Sequence, residues 1–162
     1  MQGDLKSMKI HSVIFAVILI FSVTSAFAAP REFAFSTAPG TDGLCSAWAK
    51  GRYAVDPQGI RLDKNKYCYN ASVIPLRGVK NVRISFKYQG TGTECGLFIY
   101  SGTGLRGRDL HYLPNTKKLR EFTGDFPIPD VVDKKRPTGI RIVFRTTGNA
   151  LISDVKLLLP EK

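Results

Sequence analysis

The chain is short of almost everything a catalytic centre is built from. Its 162 residues hold two histidines, three cysteines, one tryptophan and 13 acidic side chains, against 24 lysines and arginines. His11 lies in a leader-like start, so His111 is the one base left for a Ser-His-Asp or Cys-His arrangement. It sits in L-H-Y-L beside a loop, no G-x-S-x-G elbow accompanies it, and it reads as a structural or surface histidine. Cys45, Cys68 and Cys95 form no C-x-x-C, and a zinc site would need more close-set ligands. The acids fall mostly in turns (Asp42, Asp56, Asp63, Asp130, Asp133), whereas glycoside hydrolysis needs two carboxylates that face each other. Glu121 and Asp125 flank Phe122, but Gly124 interrupts the pattern between them. G-T-G-L-R-G-R over 102–108 has no helix after it and is no phosphate loop. The expectation is a protein that is not an enzyme and carries no cofactor.

Long apolar runs are also missing, apart from one at the start. Met8 to Ala28 joins a basic Lys9, an apolar stretch from Val13 to Phe21 and the small-x-small box Ala26-Phe27-Ala28. The run is short for a bilayer span of about 20 residues, so it reads as a signal peptide over 1–28 rather than a membrane anchor. Residues 1–7 are unusual ahead of such a signal, and Met8 is a candidate true start. Cleavage between Ala28 and Ala29 would leave a single domain over 29–162, exported to a periplasmic or extracellular space, with no transmembrane anchor. The formal charge of +11 falls to +10 once Lys6, Lys9 and Asp4 are removed. So basic an exported domain attracts anionic partners, such as acidic glycans or cell-envelope polymers. Nucleic acid is not expected, because of the export signal.

What the chain has in quantity is strand. Asn81 to Gln89 reads N-V-R-I-S-F-K-Y-Q and puts Val82, Ile84, Phe86 and Tyr88 on one face. Gly139 to Arg145 puts Ile140, Ile142 and Phe144 on one face, and Ala150 to Leu159 closes the series. Such period-two alternation marks half-buried strands. Further strands are expected at 31–37, 44–55, 60–62, 67–76, 95–101, 110–113 and 119–128, the last broken near Gly124. Residues 102–109, with three glycines, read as a loop. Trp48 is expected in the core. Asn70-Ala71-Ser72 matches a glycosylation sequon but falls inside a predicted strand, so it is taken as chance. Eight to ten short strands and no convincing amphipathic helix predict an all-β fold, a two-sheet antiparallel β-sandwich of jelly-roll type.

Export implies an oxidising compartment, where three cysteines allow one bridge. Cys45, Cys68 and Cys95 each open a strand expected to run in the same direction, so any pair can lie close. Cys68 with Cys95 is favoured, as it would tie together the strands around 81–89.

The order of motifs adds a resemblance. A Trp-containing early strand leads to G-I-R-L, then I-P-L-R-G, V-R-I-S-F-K-Y-Q-G, G-L-F-I-Y, F-T-G-D-F-P-I-P and I-R-I-V-F-R-T-T-G-N-A-L-I-S-D-V-K-L. Over nearly all of 31–159 this resembles the galactose-binding-domain-like jelly rolls, which include many carbohydrate-binding modules. The resemblance implies sugar binding. In several such modules an aspartate in a closing strand like I-S-D-V-K-L binds structural calcium, which makes Asp154 the metal candidate. Ser153 stands where many have a second acid, so calcium is not favoured.

Mapped onto the usual jelly-roll strand order, 60–62, 82–89, 96–100 and 140–145 share one sheet. With the apolar sets inward, Arg61, Arg83, Lys87, Gln89, Arg141 and Arg145 share its outer face, with Phe98 and Tyr100 if Leu97 and Ile99 face in. Arginines around aromatic rings suit carboxylate or sulfate groups on a sugar. The function expected is thus a non-catalytic binding module for carbohydrate or an anionic envelope polymer. The alternative is a structural or protein-interaction domain of the envelope. Oligomeric state is not legible.

Overall fold

The structure, a computed structural model, describes residues 29–38, 46–49, 53–130 and 134–160. The expected signal peptide, the candidate start at Met8 and Cys45 lie outside these residues. Among the described residues there are eleven strands and no helix. They are β1 (Arg31–Phe35), β2 (Ala54–Asp56), β3 (Gly59–Leu62), β4 (Tyr67–Tyr69), β5 (Ile74–Pro75), β6 (Asn81–Gly90), β7 (Thr93–Ser101), β8 (Gly104–Tyr112), β9 (Thr116–Pro127), β10 (Gly139–Thr146) and β11 (Ala150–Leu159). Every pairing is antiparallel, and two sheets pack into a sandwich, as the alternation predicts. One sheet runs β2-β3-β11-β6-β9, with β1 beside the second half of β11. The other runs β4-β10-β7-β8, with β5 also on β10.

The core is the set of inward residues the sequence marked. Val82, Ile84, Phe86 and Tyr88 of β6 face Leu97 and Ile99 of β7 and Ile140, Ile142 and Phe144 of β10, all of them buried. Phe86 and Phe144 meet edge to face across the two sheets with centroids 4.8 Å apart. Trp48 is 1% exposed, packs on Phe144 and Phe35, and donates its Nε1–H to the Ser36 carbonyl. Each such ring pair adds about 0.5–1.5 kcal/mol beyond area burial.

Several local expectations change. The 102–109 segment is not a loop: β8 begins at Gly104 and pairs with β7 along its length, because only residues 102 and 103 are needed to turn. Gly124 does not break β9. It faces inward without a side chain, and the Phe122 ring fills the space where a Cβ would lie, 2.6 Å from Phe122 Cζ. That ring then packs against Phe86 in a tilted pair with centroids 5.0 Å apart. In place of one strand over 44–55, Trp48 makes an isolated bridge to Asn70 and β2 starts at Ala54. The single strand expected over 67–76 is two short ones, β4 and β5.

A β-bulge interrupts β11 between Ser153 and Lys156. Asp154 takes φ 53°, in the left-handed region that aspartate tolerates better than most residues. The extra residue explains why the inward set changes phase, from Ala150 and Ile152 to Val155, Leu157 and Leu159.

The favoured Cys68–Cys95 disulfide is corrected. Both cysteines are buried and face inward, but both pair with the same residue, Phe144, from opposite sides of β10. Two strand spacings separate their backbones by about 9–10 Å, beyond the reach of a disulfide. Burial, with Cys68 nearby, pushes the Cys95 thiol well above its ordinary pKa.

Asn70 is also not a glycosylation acceptor in the folded chain, being 1% exposed. Its side-chain oxygen accepts the Ile142 N–H at 2.6 Å, its backbone N–H donates to the Ile142 carbonyl, and its amide nitrogen donates to the Ser72 carbonyl. The side chain thus continues the β4–β10 ladder where the strand ends. Asn70→Ala orphans a buried N–H and should lower unfolding free energy by about 1–3 kcal/mol, read as a lower urea midpoint.

Candidate functional site

The eight residues expected on one face lie on two faces pointing in opposite directions. Arg61 on β3 and Arg83, Lys87 and Gln89 on β6 are on the outer surface of the β2-β3-β11-β6-β9 sheet. Phe98 and Tyr100 on β7 and Arg141 and Arg145 on β10 are on the outer surface of the other sheet. The expectation fails because β6 and β7 do not form a hairpin. Past Gly90 the chain turns through Thr91 and Gly92 (φ 59°) into the opposite sheet, as it does again between β10 and β11. Val82, Ile84, Phe86, Tyr88, Ile140, Ile142 and Phe144 face inward as expected; the sheet membership of their strands is not as expected.

The three cations expected on the first face each have an acid beside them. Arg83 lies directly opposite Asp125 on β9 and makes two hydrogen bonds to its carboxylate, 2.8 and 3.0 Å long. Lys87 sits 2.8 Å from Asp154, and Arg61 3.6 Å from Asp63. The bulge turns the Asp154 carboxylate outward to Lys87, which corrects its candidacy as a calcium ligand. Among the described residues no group of three His, Cys, Asp or Glu side chains is placed to hold a metal. A depression of about 720 Å³ on this face is lined by Ser85, Lys87, Glu121, Asp154 and Lys156, a mixture of signs with β1 as one wall.

The second face is different. Strand register lays it out as four rows across β4, β10, β7 and β8. The first row is Tyr67, Arg145, Glu94 and Tyr112. The second is Tyr69, Val143, Gly96 and Leu110. In the third, Arg141, Phe98 and Arg108 lie side by side, and in the fourth Tyr100 pairs with Leu105 next to a bulge.

The second row is low, because Val143 is 1% exposed and Gly96 has no side chain. Glycine is required at 96: a Cβ there would come 1.8 Å from the Asp109 carbonyl oxygen of β8. Between the first and third rows this leaves a cavity of about 500 Å³, lined by Asn65, Tyr67, Phe98, Arg108, Leu110, Val143 and Arg145.

The rings around the cavity are contiguous. Tyr67 and Tyr69 stack with centroids 6.0 Å apart, and Tyr69 meets Phe98 at 5.7 Å. The Arg141 guanidinium lies over both Tyr69 and Tyr100, at 5.2 and 5.5 Å. Its Nε is buried without a hydrogen-bond partner, so this cation is held by ring faces rather than by an acid. Glu94, 5% exposed, is the one acid the described strands put on this face, and Arg145 Nε lies 3.6 Å from it.

Of the residues expected, Phe98, Tyr100, Arg141 and Arg145 come together here. Tyr67, Tyr69 and Arg108 were missed. The Y-C-Y alternation around buried Cys68 was the available signal for the tyrosines, and L-R-G-R-D-L-H-Y for Arg108. His111 bonds Asp109 at 3.0 Å and meets the Phe126 ring edge to face.

No protein-family model and no curated protein matches the chain. Solved structures do. A family 29 carbohydrate-binding module from Piromyces equi superposes with a TM-score of 0.54 at 11% identity, over 82% of this chain and 92% of that one. The tandem CBM22-1–CBM22-2 domain of Xyn10C from Paenibacillus barcinonensis superposes with a TM-score of 0.53 at 14% identity, over 78% of this chain and 50% of that one. The chain shares the two-sheet β-sandwich fold of these carbohydrate-binding modules. At these identities the likeness is one of fold alone.

The paired face makes a pH-dependent prediction. The hydrogen bonds and charge of Arg83 hold the Asp125 carboxyl below its ordinary pKa, and Arg83 is held above its own. A carboxyl lowered by folding stabilises the fold above the unfolded carboxylate range and loses that contribution as pH falls through its lowered value. NMR titration should find Asp125 ionising below an ordinary aspartate, and Arg83→Ser should return it to the ordinary range.

Proposed function

We propose that the protein is an exported, non-catalytic carbohydrate-binding module, and that it binds sugar on the outer face of the β4-β10-β7-β8 sheet. The observation that carries this reading is the contiguous set of Tyr67, Tyr69, Phe98 and Tyr100 beside a 500 Å³ cavity edged with arginine. Aromatic faces supply the apolar contact that pyranose rings seek, and guanidinium groups donate to their hydroxyls. The β-sandwich fold shared with the family 29 module and the tandem CBM22 domain supports it. Support for a non-catalytic role is the chemistry of the face, where among the described residues the strands place one carboxylate, buried beside Arg145 and with no second acid opposite it in the register. Export rests on the signal-peptide pattern of residues 8–28.

A glycan array probed with the secreted protein should show binding. On a polysaccharide so found, Tyr69→Ala and Phe98→Ala should each weaken affinity about tenfold, some 1.4 kcal/mol. Arg83→Ser, on the opposite sheet, should leave it unchanged. No binding to any glycan at low salt would sink the reading and turn the face over to a protein partner. Intact mass of the secreted protein should match a chain beginning at Ala29.

A further inference from the structure

We infer that this face selects glycans bearing uronic acids, with Arg108 and Arg145 taking the carboxylate while Arg141 holds the aromatic rings in place. The inference rests on the carbohydrate-binding reading and narrows it to a class of sugar.

The charge of the two faces argues for an anion. On the β6 face Arg83, Lys87 and Lys156 each have a carboxylate within 3.3 Å. On the other face three arginines share one buried glutamate. Arg108 is exposed and pairs with no acid among the described residues. Arg145 is also exposed, and Glu94 approaches its Nε rather than its outer nitrogens. Both line the cavity, from opposite rows. An anion placed there lies between two guanidinium groups whose planar fork suits a carboxylate.

The three arginines divide the work. Arg141 is sandwiched between Tyr69 and Tyr100, and its buried Nε cannot reach a ligand. It fixes the tilt of two rings of the platform and acts as a positioning residue. Arg108 is the direct cross-strand partner of Phe98, one strand spacing of about 4.8 Å away. The carboxylate of a uronic acid projects sideways from the edge of its pyranose ring. A ring lying on Phe98 therefore extends its carboxylate toward Arg108, with Arg145 across the low row of Val143 and Gly96. A sulfate ester carries its charge one bond further from the ring, which favours the carboxylate.

The test uses polygalacturonate, the same polymer after methyl esterification, neutral xylan and dextran sulfate, measured by calorimetry at two salt concentrations. Polygalacturonate should bind at least about tenfold tighter than its methyl ester, and Arg108→Gln should remove most of that difference while leaving affinity for the ester within about twofold. Removing Arg145 alone strands the buried Glu94, so it is tested as the pair Arg145→Gln with Glu94→Gln, and as Arg145→Lys, which keeps the charge and loses the fork. Both should lower polygalacturonate affinity. Arg141→Gln should weaken acid and ester alike, and Arg83→Ser should change neither. Equal affinity for acid and ester overturns the inference and leaves the carbohydrate-binding reading standing. Polygalacturonate binding that survives the Arg108 and Arg145 substitutions overturns it too, as attraction by overall charge, which added salt would abolish. Tighter binding of dextran sulfate overturns the carboxylate assignment. No binding to any of the four polymers overturns the inference, and the carbohydrate-binding reading falls with it only if the glycan array is also empty.

Discussion

Two chain crossings locked against each other at one end of the sandwich decide where every surface residue goes. The turn from β6 to β7 and the turn from β10 to β11 both pass from sheet to sheet, and they lie side by side. Thr91 N–H donates to the Asn149 carbonyl at 3.0 Å, and Thr147 N–H donates to the Gly92 carbonyl at 3.0 Å. The Thr146 hydroxyl donates to the Thr91 carbonyl at 2.8 Å and accepts the Gly148 N–H at 3.1 Å. Gly92 N–H is taken up by the Asn115 side chain from a further crossing, between β8 and β9. A Cβ at Gly148 would come 2.2 Å from the Thr91 hydroxyl oxygen, so the loops pack with no room to spare. Backbone groups that leave the strand ladders at this corner thus find partners in the neighbouring crossing or in their own turn, as buried backbone must.

That corner has an electrostatic consequence. By sending β7 and β10 away from β6 and β11, it separates the outward cations of these strands into two populations. On β6, Arg83 lies opposite Asp125 and Lys87 lies beside Asp154, and both are consumed in ion pairs, which at such exposure contribute little to stability. Those on β8 and β10 lie among tyrosines and phenylalanine with Glu94 between them. One surface therefore presents balanced charge, and the other presents rings and uncompensated guanidinium groups. A strongly basic composition does not by itself distinguish these outcomes.

The ring-bearing face is built on rigid elements. Its side chains stand on strands rather than loops, and behind them lie Leu97, Ile99, Ile142 and Phe144, all buried. Arg141 spans two tyrosines and Gly96 lets β8 approach β7. A surface pre-organised in this way loses little conformational entropy when a flat ligand settles on it. Its weak point is the edge, where Tyr112 is 75% exposed at the end of β8.

How much of this was legible in the sequence follows from the range of each interaction. Alternation is local, so Val82, Ile84, Phe86, Ile140, Ile142 and Phe144 could be read as core and their neighbours as surface. The same pattern sufficed for the all-β class and for the bounds of β6, β10 and β11. Gly124 and the 102–109 segment misled because glycine signals a turn and a packing slot with the same letter; only the Phe122 ring and the β7 ladder distinguish them. Sheet membership is not local: a strand keeps its alternation whichever sheet it joins. The pairing of Arg83 with Asp125, the stacking of Arg141 between Tyr69 and Tyr100, and the distance between Cys68 and Cys95 across Phe144 all depend on partners far away in the chain. The sequence by itself determined which side of each strand faces water. The tertiary structure alone decided which of those sides share a surface, because that choice is made by turns whose hydrogen bonds join residues more than fifty positions apart.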